Sequence, residues 1–257
     1  MAITSPKAAN DLRVEPITDP SDIHSGFLCC ANAFGAQTSD AMWMAMNPGW
    51  NTASGAKACS DQMVKGWRST TYNKAGDPNN VFIKATLPVP DAHASDTANR
   101  IVVGFAIWVQ WSFVEGMGNP PSTDIAAMIP NLEELYAGDE TTQQFLRQGW
   151  AAFTKQRVAV LGEKATTDSP ATFSLDLLAV DPKFQRRGVA SRLVEWGLAE
   201  ARRRGNLEST TEGSATGRLV YVNLGYKPVG EPTYEDMDPE LARRMPSNIF
   251  MRTGAST

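Results

Sequence analysis

One segment of this 257-residue chain, residues 175–190, limits the possible folds more than any other stretch. It begins as the apolar run Leu175 to Val180, which is typical of a buried strand, and continues into the polar turn Asp181 to Arg187. Behind Gly188, small and apolar residues recur at the spacing of one helix face: Ala190, Leu193, Val194, Gly197 and Ala201. The segment therefore predicts a strand, a turn and a helix in direct succession.

A polar turn at the start of a helix is suited to binding an anion. The first backbone N–H groups of a helix lack intrahelical partners, and the helix dipole is positive there, so a diphosphate can accept several hydrogen bonds. Gly188 would let a phosphate approach the backbone closely, while Arg186 and Arg187 add positive charge. The sequence contains neither G-x-G-x-x-G nor G-x-x-x-x-G-K-[ST], which disfavours a dinucleotide or ATP loop.

Hydrophobic periodicity divides the rest of the chain into further strands and helices. It predicts strands at residues 12–17, 81–87, 100–113, 172–180, 207–211, 226–229 and 248–252. It predicts helices at residues 23–34, 56–70, 145–160, 188–204 and 215–224, and a short helix plus loop within residues 36–50. Gly35 is predicted to end the first helix. Because no repeat or linker interrupts this pattern, we expect a flexible N-terminal segment at 1–11 and a single domain at 12–253.

Two connections are expected to lack regular structure. Residues 88–99 are polar and predict a hairpin loop. Residues 113–140 are rich in Gly, Pro and acidic side chains and predict a long inserted loop. Loops of that length serve as lids or substrate walls, or simply cross the surface, and the sequence leaves both interpretations open.

Composition excludes several classes of function. No apolar stretch approaches the roughly 20 residues that span a bilayer, and the first residues lack the plan of a secretory signal, so we expect a cytoplasmic protein. A net charge of -4 and a pI near 5.3 argue against a sequence-independent nucleic-acid surface, so we expect no nucleic-acid partner. Two histidines and three cysteines, none at metal-ligand spacing, predict no metal.

Two motifs resemble the GNAT superfamily of acetyl-CoA-dependent N-acetyltransferases. Gln185, Gly188 and Ala190 fit its signature of Gln or Arg, two residues, Gly, one residue, then Gly or Ala. Downstream, Tyr221 and Tyr226 fit the tyrosine and the aromatic position of the family's L-Y-x-x-x-G-F. Together the two matches cover residues 172–229, and they imply an α/β (α+β) fold with a mixed, mostly antiparallel central sheet flanked by helices.

The resemblance also implies a co-substrate, acetyl-CoA, and the residues that bind it. Backbone groups of the strand would hold the pantetheine arm, and amides of the turn would hold the pyrophosphate. The implied cofactor-binding residues are Leu178, Val180, Gln185, Arg186, Arg187, Gly188, Val189, Ala190, Ser191 and Ser214. Ser214 stands where many members have a longer asparagine. Tyr221 would lie near the thioester sulfur, where a phenol with an ordinary pKa of about 10 can donate to the leaving thiolate.

A general base is harder to assign, because no residue matches the glutamate that many members use. If the strand alternates regularly, Ser174, Asp176, Leu178 and Val180 share one face, and Asp176 is the best-placed carboxylate. A hydrogen-bonded structural aspartate is an equally good interpretation.

The expected function is direct transfer of the acetyl group to an amine of a small molecule. No basic tail or partner domain accompanies the motifs, which favours a small acceptor. A protein or peptide N-acetyltransferase, and a non-catalytic acyl-CoA-binding protein of the same fold, are the alternatives. The acceptor's identity and the oligomeric state do not follow from the sequence.

Overall fold

A seven-stranded sheet forms the centre of the computed structural model, which describes residues 11–89, 100–230 and 234–254. Its strands are β1 (Arg13–Pro16), β2 (Asn80–Pro88), β3 (Arg100–Ser112), β4 (Ala171–Val180), β5 (Thr210–Ser214), β6 (Lys227–Gly230) and β7 (Asn248–Arg252). Their order is β1-β2-β3-β4-β5-β7-β6, and every neighbouring pair is antiparallel except β4 with β5. The predicted mixed, mostly antiparallel sheet is confirmed.

Helices cover both faces of this sheet. The α-helices of the described ranges are α1 (Pro20–Cys30), α2 (Ala41–Met46), α3 (Ala53–Arg68), α4 (Leu132–Leu135), α5 (Glu140–Lys164), α6 (Val189–Arg203), α7 (Arg218–Asn223) and α8 (Pro239–Ala242). A π-helix at Ala31–Gln37 extends α1, and 3-10 turns lie at Ile125–Ala127 and Pro182–Phe184. Outside the described residues lie positions 1–10 of the predicted flexible segment 1–11 and most of the predicted loop 88–99.

Each face of the sheet has its own core. On one face α6 packs so closely that a Cβ added at Gly197 would lie 2.1 Å from the Trp108 ring. On the other face α1 and α3 bury Phe27 and Phe105. A third cluster joins α5 to the segment that precedes it, through Phe145 and neighbouring apolar side chains. We call the side of the sheet that α6 covers the α6 face. We call the opposite side, which α1 and α3 cover and on which α5 also lies, the α5 face.

The inserted segment between β3 and β4 is more ordered than predicted. The predicted loop at 113–140 contains the turn Ile125–Ala127 and α4, and it buries Ile125 and Leu132 almost completely. Helix α5 then begins at Glu140, where the Asp139 side chain accepts a hydrogen bond from the Thr142 amide and caps the helix. The segment is therefore packed onto the domain rather than an open surface excursion.

Two predicted boundaries are wrong for physical reasons. Gly35 does not end the first helix but lies within the π-helix, against the Trp50 ring, where a Cβ would come within 2.4 Å. The strand predicted at 207–211 runs instead over Thr210–Ser214, because its five residues pair with all five of β7. In both places a tertiary contact outweighs the local signal.

A β-bulge in β4 overturns the predicted alternation. Trp108 of β3 pairs with Leu175 and the preceding Ile107 pairs with Leu177, so Asp176 has no partner on β3. Leu175 and Leu178 consequently pack on the same α6 face, while Leu177 packs on the other. Asp176 does not share a face with Leu178 and Val180 but points to the α5 face.

Candidate active site

Strands β4 and β5 separate after a single backbone pair. Leu175 is opposite Thr211, and the Thr211 hydroxyl donates to the Leu175 carbonyl over 3.0 Å. Before this pair, Thr172 and Glu208 form a further bridge. Beyond it the two strands, both fully described, make no more pairs, although they continue to Val180 and Ser214. This opening, which we call the fork, leaves the inner edge of β4 available to an extended ligand.

The start of α6 lies directly after β4 and is open to ligands. Gly188 has a φ of 82° and Arg186 a φ of 62°, and these left-handed conformations turn the chain into the helix. Arg192 is the first residue whose amide bonds back, to the Gly188 carbonyl over 3.1 Å. The described residues offer no acceptor to the amides of Val189, Ala190 and Ser191. We call residues 186–191 the cradle, and its geometry is that of an anion site.

Glycine at position 188 is required by backbone conformation rather than by crowding. A Cβ added there would meet no atom within 4 Å, whereas the positive φ of Gly188 is one that other residues rarely adopt. The space above Gly188 is therefore open. Arg186 and Arg187 are exposed beside it, and neither pairs with a carboxylate in the part of the chain that the structure describes. Arg187 stacks over the Phe184 ring at 5.4 Å.

Gln185 fixes the turn that carries the cradle. Its side-chain amide exchanges hydrogen bonds with that of Gln37 over 3.0 and 2.8 Å and donates to the Val180 carbonyl over 3.1 Å. Asn32 also donates to Asp181 over 2.7 Å. The π-helix thus holds the turn, and the motif glutamine positions the cradle, a role that the motif alone did not reveal.

The remaining implied cofactor residues lie along the two arms of the fork. Leu178 and Val180 are on the β4 arm, and their side chains pack with α6. Ser214 ends the β5 arm, where its hydroxyl accepts from the Gly217 amide over 3.2 Å and contacts the Thr216 hydroxyl. The structure therefore brings the two arms and the cradle together in one region, with Ser214 also capping the turn into α7.

Tyr221 approaches the β5 arm from the α6 face. Its ring is buried against Gly213, where a Cβ would lie 3.1 Å from it, and its centre is 5.7 Å from the centre of the Tyr226 ring. Burial raises the pKa of Tyr221 to about 12, and the charge of Glu212 acts in the same direction. The phenol is therefore protonated at neutral pH and can serve as a proton donor.

Asp176 belongs to a buried cluster on the α5 face. Its carboxylate contacts the Arg157 guanidinium at 3.0 Å and accepts from the Trp111 indole over 3.2 Å. Arg157 also binds Glu212, with Nε donating over 3.0 Å and Nη2 making a second contact. We call Asp176, Arg157 and Glu212 the triad. Burial raises the pKa of both carboxyl groups and outweighs the opposite effect of Arg157.

Sequence reasoning missed Arg157 and Glu212. Arg157 falls in the stripe of α5 that also buries Leu146, Gly149 and Val160. A charged residue on such a stripe signals a buried partner, since unpaired buried charges are costly. That signal could have been read from the sequence. The partners of Arg157 could not, because Asp176 lies on β4 and Glu212 on β5.

The matched region of the chain identifies the fold family. Residues 133–237 match the family model described as acetyltransferase (GNAT) domain. Over this range the chain matches a GNAT acetyltransferase domain. The match includes α5, β4, the cradle and Tyr221, and it confirms both the predicted family and the class of enzyme, an acyltransferase. Comparison with curated protein sequences found no match.

Solved structures with this GNAT fold cover nearly the whole chain at low identity. Arylalkylamine N-acetyltransferase 2 of Aedes aegypti is 18% identical, with 95% of this chain and 98% of that chain covered and a TM-score of 0.57. A Corynebacterium glutamicum structure, described as histone acetyltransferase HPA2 and related acetyltransferase, is 16% identical, with 96% and 98% covered and a TM-score of 0.50. The polyamine N-acetyltransferase of Drosophila melanogaster is 13% identical, with 94% and 97% covered and a TM-score of 0.50.

Two further properties of the described residues concern membranes and metals. Among the described residues, no helix has the length and apolar composition needed to cross a bilayer. Over the same ranges, His, Cys, Asp and Glu side chains form no group of three or more that could hold a metal ion.

Proposed function

We propose that the protein transfers the acetyl group of acetyl-CoA directly to an amine of a small molecule. One observation carries this proposal: the fork between β4 and β5 opens immediately beside the uncapped start of α6. An extended pantetheine arm can pair with the free edge of β4 while its diphosphate reaches the cradle amides. The thioester then lies in the fork.

The proposed cofactor contacts follow from that placement. Backbone groups of Leu178 and Val180 pair with the pantetheine amides, and the amides from Gly188 to Ser191 bind the diphosphate, with Arg186 and Arg187 adding charge. Because the Val180 carbonyl already accepts from Gln185, Leu178 offers the freer backbone acceptor.

The reaction needs a proton acceptor for the amine and a donor for the thiolate. A neutral amine attacks the thioester carbonyl, the carbon–sulfur bond breaks, and an amide bond forms without a covalent enzyme intermediate. Tyr221 donates its phenolic proton to the departing sulfur from the α6 face. Asp176, a carboxylate whose pKa is raised by burial, accepts the amine's proton from the α5 face.

A small acceptor is favoured over a protein. Structures of similar fold are named as arylalkylamine, polyamine and agmatine N-acetyltransferases, with TM-scores of 0.57, 0.50 and 0.50. The α5 face beside the fork is covered by packed elements, among them α5. A cytoplasmic location and the absence of nucleic-acid partners stay predictions of the sequence.

The test separates cofactor binding from turnover. Calorimetry measures acetyl-CoA affinity, and release of the free thiol of CoA measures transfer to a panel of arylalkylamines, polyamines, aminosugars, amino acids and peptides. Release with small amines supports the proposal. Release with peptides alone would favour a peptide acetyltransferase, and binding without release for any amine would favour a non-catalytic protein. Absence of acetyl-CoA binding would overturn the proposed cradle.

A further inference from the structure

A recess on the α5 face has room for one particle the size of a water molecule. Its walls include Phe153, Lys155, Gln156, Glu212, Asn248 and Phe250. A water-sized sphere can place its centre in about 20 Å³ of this recess, and one water needs roughly 10–15 Å³ by the same measure. The recess reaches solvent at Lys155, whose side chain is 61% exposed. We call it the α5 recess, and its occupant must be a single small particle.

Glu212 brings an uncompensated negative charge to the wall of the α5 recess. It shares the single guanidinium of Arg157 with Asp176, so the triad has one negative charge in excess when both carboxylates are ionised. Lys155 does not compensate this charge, because its ammonium pairs with Asp236 at 2.7 Å. The Glu212 side chain is only 5% exposed, and a buried charge without a counter-charge is costly. The wall therefore favours a cation.

Two further oxygen atoms of the wall residues lack hydrogen-bond donors. Asn248 is 8% exposed, and none of the described residues donates to its Oδ1 atom. The buried Oε1 atom of Gln156 is equally without a donor in the part of the chain that the structure describes. Buried polar atoms in proteins are almost always hydrogen-bonded. Since both unpartnered atoms are acceptors, they call for an occupant that is positively charged or carries N–H or O–H groups.

Size, charge and ligand type together narrow the occupant. A water molecule donates only two hydrogen bonds, whereas the recess presents a carboxylate and two amide oxygens. An alkali cation accepts carboxylate and carbonyl oxygens in place of its hydration shell. A single positive charge neutralises the excess charge of the triad, while a divalent ion would reverse it. The occupant that meets all three conditions is a monovalent cation about the size of water.

We propose that the α5 recess binds one monovalent alkali cation, with potassium the best fit in size, through Glu212, Asn248 and Gln156. The Glu212 oxygens that accept from Arg157 keep further lone pairs for the ion. Water at the open rim completes its coordination. With the ion in place, the triad and its surroundings carry no net charge, and both carboxylates stay ionised beside Arg157. The site does not depend on the proposed acetyl transfer.

Thermal melting of the full chain in potassium chloride and in choline chloride, at equal ionic strength, tests the site. Both salts screen surface charges alike, but choline is too large for the recess. An ion that binds only the folded chain raises the melting temperature as its concentration rises. At about ten times its Kd, we expect potassium to raise the melting temperature by about 3–6 °C relative to choline. Equal melting temperatures in the two salts at every concentration would refute the site.

Two variants locate the ion. Glu212→Gln removes the charge and should weaken potassium binding at least about tenfold, measured as a shift of the melting curves along the concentration axis. It should fold, because Arg157 keeps Asp176 as a partner. Gln156→Met keeps the length of a side chain outside the triad and removes its oxygen, so it should weaken potassium binding severalfold.

Glu208→Gln is the matched control, because it removes a carboxylate that is only 9% exposed and lies outside the recess. Glu208 pairs with Lys164 and Arg252, so its loss should lower the melting temperature by the same amount in both salts. If Glu212→Gln kept the potassium effect as Glu208→Gln does, the ion would bind elsewhere and the α5 recess would be ruled out.

Anomalous scattering from crystals grown with thallium(I), which resembles potassium in charge and size, observes the ion directly. We expect one anomalous peak among the oxygens of Glu212, Asn248 and Gln156, and no peak there in Glu212→Gln. An ordered water at this position, without an anomalous signal, would show that the recess holds only water and would overturn the inference.

Discussion

The two ends of the β4–β5 pair differ in whether their polar groups are hydrogen-bonded. At the closed end, before the pair of Leu175 and Thr211, hydroxyl groups bond each other: Ser174 contacts Thr210 at 2.6 Å and Thr172 at 3.1 Å. At the open end, past that pair, the cradle amides and the Asn248 oxygen lack partners among the described residues. One pair of strands thus provides rigid support at one end and unsatisfied donors and acceptors at the other.

Buried carboxylates show the same contrast. Burial raises the pKa of Glu208 at the closed end, but Arg252 and Lys164 outweigh burial and lower it. Burial also raises the pKa of Glu212 at the open end, and there it prevails, because Glu212 shares Arg157 with Asp176. Glu208 is therefore compensated by two cations, whereas Glu212 shares its one cation with a second carboxylate.

The largest effect is expected at the cradle. Gly188→Glu places a carboxylate where the diphosphate should bind, and we expect acetyl-CoA affinity to fall at least about a hundredfold by calorimetry. Gly205→Glu is the matched control at the other end of the same helix: its φ is 95°, and a Cβ there also meets no atom within 4 Å. Both variants incur similar backbone strain, so equal losses of affinity would show that strain, not charge in the cradle, is responsible.

The next effect separates two neighbouring tyrosines. Tyr221→Phe should lower kcat by roughly ten- to a thousandfold with little change in acetyl-CoA affinity, because it deletes the proton that the thiolate needs. Tyr226→Phe instead removes a hydroxyl that bonds Ser209 at 2.5 Å at the closed end, so it should lower the melting temperature and leave kcat intact. Unchanged kcat in Tyr221→Phe would return that residue to a packing role.

A smaller effect is expected at Asp176. Asp176→Asn should reduce kcat/KM roughly tenfold, less than removal of a sole base, since Glu212 remains on Arg157 as a second proton acceptor. The deficit should shrink at high pH, where the amine is already neutral. A pH profile of kcat/KM that runs parallel to that of the parent protein would remove Asp176 from the role of base.

The smallest effect concerns stability at the closed end. The pKa of Glu208 is lowered in the folded state, so its ion pairs stabilise the fold above the unfolded pKa of about 4.3 and cease to do so as pH falls through the folded pKa. Glu208→Gln should therefore lower the free energy of unfolding by about 1 kcal/mol at pH 7 and by nothing in strong acid. Thermal unfolding between pH 3 and pH 8 measures the difference, and a loss independent of pH would contradict it.

The sequence by itself determined the local parts of the site. The strand, turn and helix around Gly188 follow from residues next to each other in the chain, and the structure confirms that order with Gly188 at the first helical turn. The mixed sheet was predictable for the same reason, since each strand and helix carries its own periodicity. Tyr221 could be singled out because its motif lies within one short helix and the turn after it.

Only the tertiary structure decided what surrounds the reacting groups. Arg157 and Glu212 are 55 positions apart, and no spacing rule connects a helix stripe to a strand on another part of the sheet. The bulge at Asp176 depends on pairing with β3, and it moves that carboxylate to the face opposite Leu178. Periodicity assigns a residue to a face only while the ladder is regular, and it says nothing about which buried charges meet. The chain alone therefore predicts the strand, turn and helix around Gly188, and only the packing of α5 brings Arg157 to Asp176 and Glu212.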